Sequence, residues 1–222
     1  IGWGKEAGLY KIVPKESVAE LGKFPNKLSQ TGLYKELANL NLEDGVYSFD
    51  VTEPLWSGNM QIQRAVALPD HKKVGLRSQK HHTGRRVKMN RPKGATFLRT
   101  ISVPPSLSES GKKKKIETQV LHFNGEAWNG YSYKWNEEGT DASLVDKKGL
   151  REKVKLKNKT LDWRFNSRAE CARCHGSWAG ETLGFVPWQL GSKQLEKFHN
   201  LGLINESFHK EEQNFSLVSS RD

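Results

Sequence analysis

The chain has 222 residues, with 36 Lys and Arg against 25 Asp and Glu, for a formal net charge of +11. Mean hydropathy is −0.73, and no stretch approaches the ~20 apolar residues of a membrane-spanning helix. Seven Trp, nine Phe and five Tyr still supply enough apolar area for a core of one large or two small domains.

In chain order, residues 8–14 alternate and end at Pro14, as an edge or terminal strand does. A Ser29 or Thr31 cap and the Leu33/Leu37 spacing predict a short helix over 28–37. Glu43-Asp44-Gly45 reads as a turn and 46–51 as a strand. The middle alternates, with strands expected over 61–68, 96–103, 115–123, 127–135 and 162–165. Asn124-Gly125 is a hairpin signal between two of them. Pro69-Asp70, 91–94 and 106–115 read as turns or loops, and 140–145 as a short helix ending near Gly149. Ser167 with Glu170 forms a capping box that starts a helix over 167–175. A second, amphipathic helix is expected over 192–201, with Leu195, Phe198 and Leu201 on one face and Gly202 as its stop. The fold class expected is α+β: an antiparallel β-rich module (23–222) followed, near its end, by a short helical segment, with 1–22 as an N-terminal strand or linker.

The two cysteines of the chain share one pentapeptide, Cys171-Ala172-Arg173-Cys174-His175. C-x-x-C-H is the attachment signature of a c-type haem. Each thiol can add to a haem vinyl group, and the adjacent imidazole can ligate the iron. A structural zinc site needs four ligands, and this cluster offers three. A thioredoxin-like pair belongs at a helix start after an apolar strand. Here a polar Asn166-Ser167-Arg168 turn intervenes, and the following His is unexplained. A disulfide or metal clip in a binding module without haem is the remaining alternative. The expected cofactor is one covalent haem c, held by Cys171 and Cys174 with His175 on the metal. Haem c is attached outside the bacterial cytoplasm. The expected location is therefore periplasmic or otherwise extracytoplasmic, with an export leader removed or upstream.

The opposite axial position has several candidates. Met60 and Met89 both precede the motif, so a small Met-ligated fold within 170–222 is excluded. His199, His122, His81 and His82 are further candidates, and an open site is another; His71 and His209 complete the histidines. Trp163, Phe165, Trp178, Phe185 and Trp188 are the aromatics nearest the motif and suit the walls of a haem crevice. Arg164, Arg168 and Arg173 have the chemistry to neutralise propionates. Arg168 and Trp178 are the flanking residues expected to touch the cofactor.

Charge is uneven. From His71 to Arg99 there are ten Lys or Arg and no acid; after His175 there are four Lys or Arg against six acids. Such a run is a solvated face or a docking surface for an acidic redox partner. No nucleic-acid motif accompanies it.

A series of short motifs, in order, carries a resemblance. It comprises Phe24-Pro25-Asn26-Lys27-Leu28-Ser29-Gln30-Thr31-Gly32-Leu33, Pro54-Leu55-Trp56-Ser57, Ala67-Leu68-Pro69, Pro92-Lys93-Gly94-Ala95-Thr96, Glu117-Thr118-Gln119-Val120-Leu121, Tyr133-Lys134-Trp135-Asn136, Thr140-Asp141-Ala142 and Ser167-Arg168-Ala169-Glu170-Cys171. Over about 23–203 this resembles bacterial monohaem cytochrome c modules found C-terminal to sugar-dehydrogenase-like β-propellers of the pyrroloquinoline quinone class. Residues 8–14 look like the last strand of such a propeller. The resemblance implies electron acceptance from an associated dehydrogenase, and it carries over Cys171, Cys174 and His175 only. Where the family usually has an acid after Leu-Trp-Ser, this chain has Gly58. An antiparallel sheet with C-x-x-C-H near its end is also similar to cytochrome c′-beta folds. The expected function is electron transfer, the alternative a haem enzyme or gas-binding protein with an open iron site.

Overall fold

The computed structural model describes residues 24–52, 59–69, 72–81, 84–176 and 182–205. The segment 1–22, Trp178, His71, His82 and His209, and the side chains of His81 and Trp188, lie outside the described residues.

Antiparallel pairing dominates. After a 3-10 helix at Leu28–Thr31 come β1 (Tyr34–Glu36), β2 (Asn41–Leu42), β3 (Val46–Phe49), β4 (Gln61–Ala67), β5 (Gly75–His81), β6 (Gly84–Asn90), β7 (Thr96–Val103), β8 (Lys114–Phe123), β9 (Trp128–Trp135), β10 (Ala142–Leu144), β11 (Leu150–Leu156) and β12 (Lys159–Phe165). Two helices follow, α1 (Arg168–Cys174) and α2 (Pro187–Asn200). The central sheet has six strands in the order β10-β9-β8-β7-β4-β3, while β1-β2, β5-β6 and β11-β12 each form a two-stranded sheet. At this level the chain is α+β.

The pleat of the central sheet sorts its side chains onto two faces. In β7, Leu98 and Thr100 point one way. Leu98 packs with Val120, Tyr133 and Trp135 beneath Leu28 and Leu37 of the N-terminal segment. Phe97, Arg99 and Ile101 point the other way. On that face Phe97 and Leu121 are covered by Phe185, Leu195 and Phe198 from the C-terminal segment. At the strands' other end Ile101 packs with Leu156 and Phe165 of the β11-β12 hairpin. Between these two covers the sheet is left open, and the opening positions the candidate site.

Several expected elements differ. The helix over 28–37 is one 3-10 turn, ended by Gly32 in the left-handed region, after which Tyr34 pairs with Leu42. The helix over 140–145 is strand β10, whose Ala142–Leu144 pairs with Trp135–Tyr133. Tertiary pairing overrides a weak local preference in both cases. The basic run contains the β5-β6 hairpin, and β11-β12 extends what reads in the sequence as a lone strand at 162–165. In both hairpins Lys and Arg interrupt the apolar alternation that marks a strand. The Asn124-Gly125 hairpin forms, with Phe123 opposite Trp128. Gly191 is non-helical and interrupts α2: a short turn over 187–190 precedes it, and the longer run begins at 192 as expected, while Leu201 is 46% exposed rather than on its buried face.

Candidate functional site

Helix α1 begins where the capping box places it. Ser167 Oγ accepts from Glu170 N at 3.2 Å, and Glu170 Oε2 accepts from Ser167 N at 2.8 Å. Arg164 of β12 grips the same carboxylate, its Nη2 donating to Oε2 at 2.8 Å. These contacts hold the Glu170 carboxyl down at about 2. They also fix the short helix to the hairpin before it, which a seven-residue helix needs, since it gains little stability by itself.

The helix then rests on β9. An added Cβ at Gly130 would overlap Cys171 Cβ and lie 2.8 Å from Cys171 Sγ, so only glycine lets α1 approach the sheet this closely. Arg168 fastens the contact from the side. Its Nη1 donates to the Gly130 carbonyl at 2.9 Å, and its guanidinium lies 3.8 Å from the centroid of Tyr131, itself stacked on Phe24. Arg164, Arg168 and Arg173 are absent from the cleft lining described next.

Cys171, Cys174 and His175 line one open cleft of about 190 Å³. Apolar walls come from Phe49, Val51, Phe97, Leu121, Leu183 and Phe185. The sheet contributes a polar strip to the same space: Arg64, Arg99 and Gln119. Arg64 faces Arg99 across β4-β7, and Arg99 faces Gln119 across β7-β8. The two cysteines are not joined in a disulfide; Cys171 is half-buried and Cys174 exposed. Burial first, then the nearby Glu117 carboxylate, pushes the Cys171 thiol up to about 11. It is therefore a thiol at neutral pH, unlike the activated cysteine of a disulfide-exchange pair. Among the described residues no group of three or more His, Cys, Asp or Glu side chains is gathered as for a metal ion.

Of the axial candidates, four are described, and none lines this cleft. Met60 and Met89 are buried in separate hydrophobic clusters. His122 lies on the opposite face of the sheet, its Nδ1 2.9 Å from Thr96 Oγ1 and its ring beside Phe24. His199 sits on α2 outside the lining. Phe185 is a wall of the cleft, as expected. Trp163 instead donates from Nε1 to Glu117 Oε2 at 3.0 Å, and Phe165 belongs to the cluster under the hairpin.

The residues that sequence reading overlooked are Gly130, Arg64, Arg99 and Gln119. Their signal was present: in strands 61–68 and 96–103, Arg64 and Arg99 fall in phase with Ile62 and Val66, and with Phe97 and Ile101. A cation on an apolar phase is unusual, but which phase faces a cleft is decided only when the sheet is covered.

Comparison of the chain with family models, with curated proteins and with solved structures gives no match.

Proposed function

We propose that this protein is an extracytoplasmic c-type monohaem module that transfers electrons, with a dehydrogenase or another redox protein as partner. The observation that carries the reading is the convergence of Cys171, Cys174 and His175 on one largely apolar cleft. The residues fit the group: two thiols for thioether bonds, a following imidazole for the iron, and aromatic walls that exclude water and so tune its potential. When bound, haem c supplies reversible one-electron chemistry. The chain's part is to hold it by Cys171 and Cys174, present a nitrogen of His175, and bury it against Phe97, Leu121 and Phe185. The resemblance to monohaem modules that follow sugar-dehydrogenase-like propellers supports an upstream oxidation site as the electron source. The basic run over His71–Arg99 supports an acidic docking partner.

The test is an absorption spectrum and an intact mass of the full chain produced with a c-type haem maturation system. The expected result is a Soret band that survives denaturation and a mass increase of one haem, both lost in Cys171→Ala/Cys174→Ala. A chain without covalent haem overturns the reading.

One observation favours a second reading, a ligand-binding or catalytic haem with an open site. The described Met and His candidates stand outside the cleft, whereas Arg64, Arg99 and Gln119 line it. Rapid, complete carbon monoxide binding to the ferrous form supports this reading, and no binding supports pure electron transfer.

A further inference from the structure

We infer that Arg64 and Arg99 form an anion-binding subsite in the cleft, taking a carboxylate or a small oxyanion on paired guanidinium groups. This rests on the haem reading for its setting, but the argument is local. The two residues are Cα partners across β4 and β7 and share a face of the sheet. Like charges placed directly opposite each other repel, and partial burial removes the water that would screen them. Burial lowers both guanidinium pKa values, and Arg99 lowers that of Arg64 further.

Among the described residues no acid forms a direct ion pair with Arg64 or Arg99. Asp50 acts on Arg64 only through space. Glu117 acts on Arg99 through space and not by contact; its carboxyl oxygens accept from Trp163 Nε1 and from Gln119 Nε2. Gln119 in turn accepts from Arg99 Nη1 at 3.2 Å through its amide oxygen, which orients the guanidinium without adding charge. Arg99 Nε is buried and has no hydrogen-bond partner. The one acid in the cleft lining, Glu170, is held by Arg164, so the cleft presents two guanidinium groups, of which Arg99 is oriented by Gln119 and has a buried Nε to spare. A planar carboxylate or a small oxyanion supplies what is missing, because guanidinium donors match its paired oxygens and the charge–charge repulsion is relieved.

Two sources offer this chemistry: a carboxylate of the cofactor, or a free anion entering the cleft. The experiment uses the full haem-loaded chain, its haem content measured first, with the variants Arg64→Gln and Arg99→Gln and the charge-keeping Arg64→Lys and Arg99→Lys. Formate and azide affinities are read from the ferric Soret shift, and the midpoint potential by spectroelectrochemistry. A free-anion site gives about tenfold weaker formate and azide binding in each Gln variant, with partial recovery in the Lys variants. A site occupied by the cofactor's own carboxylates leaves those affinities unchanged. It instead lowers the potential by a tenfold shift in the one-electron equilibrium, about 59 mV, again partly recovered by Lys. Gln variants that carry haem and match the parent in both readouts overturn the inference. A parent chain that takes up no haem overturns the haem reading and leaves the pair to be judged by formate binding to the full chain, where its absence in calorimetry overturns the subsite as well.

Discussion

Gly130 has no side chain, and the first turn of α1 occupies the space this leaves on β9. Gly130→Ala is expected to push Cys171 off the sheet and to destabilise the fold by about 1–3 kcal/mol, the usual penalty of overpacking. A lower urea midpoint together with reduced haem attachment would show it; an unchanged midpoint would mean the helix adjusts freely. Glu170 gives a pH-dependent counterpart. Its carboxyl is held at about 2 by the Arg164 guanidinium and by the Ser167 amide and hydroxyl, below the ordinary 4.5. A depressed carboxylate stabilises the fold above its unfolded value and loses that contribution as pH falls through the folded one. The thermal midpoint of the parent should therefore drop more steeply than that of Glu170→Gln between about pH 4.5 and pH 2. Parallel curves would show that the carboxylate is no better held in the fold than out of it. Cys171, Cys174, His175 and the Ser167–Glu170 box were all legible as residues, because each signal spans only a few positions. Arg64 and Arg99 were not, since their meaning depends on a partner strand 35 positions away in sequence.

Helix α2 shows how an element is shaped by its surroundings. Gly191 adopts a left-handed φ of 69° and kinks the helix; a Cβ there would run into Thr52 Cγ2. The kink lets Thr52 N donate to Gln189 O at 2.7 Å, which ties the segment after β3 to the cover over the cleft. Beyond the kink Phe198 is fully buried and meets both Phe49 and Phe185 edge-on or tilted. Phe198→Ala should cost about 3–5 kcal/mol, as large aromatic truncations in cores do, and should loosen the Phe185 wall. Urea denaturation measures the first; a red-edge shift of the Soret band on haem-loaded protein would report the second. A loss below 1 kcal/mol would mean that α2 packs less firmly on the sheet than its burial implies. The Leu195/Phe198 spacing announced the run after Gly191 in the sequence, but the turn over 187–190 that precedes it is seen only with its contact to Thr52.

For the whole molecule, the basic run reaches up to the cleft. It includes the β5-β6 hairpin, whose Leu76 and Met89 pack in one cluster with the cleft walls Phe97, Leu121 and Phe185, and it ends at Arg99 in the cleft lining. If the run docks an acidic partner, the association rate should fall about tenfold or more between 10 mM and 200 mM salt, because the Debye length shrinks from about 30 Å to below 10 Å. Stopped-flow reduction by an acidic redox protein checks this, and a salt-independent rate would rule the docking role out. By itself the sequence determined the C-x-x-C-H motif, the capped helix that carries it, the alternating strands of the central sheet and the uneven charge, since all of these are encoded within short windows. Only the tertiary structure decided which strand face would be left open, that Gly130 would receive Cys171, and that two arginines would meet beside the motif. Those outcomes depend on strand register and on which segments cover the sheet, and both are set by contacts between residues far apart in the chain.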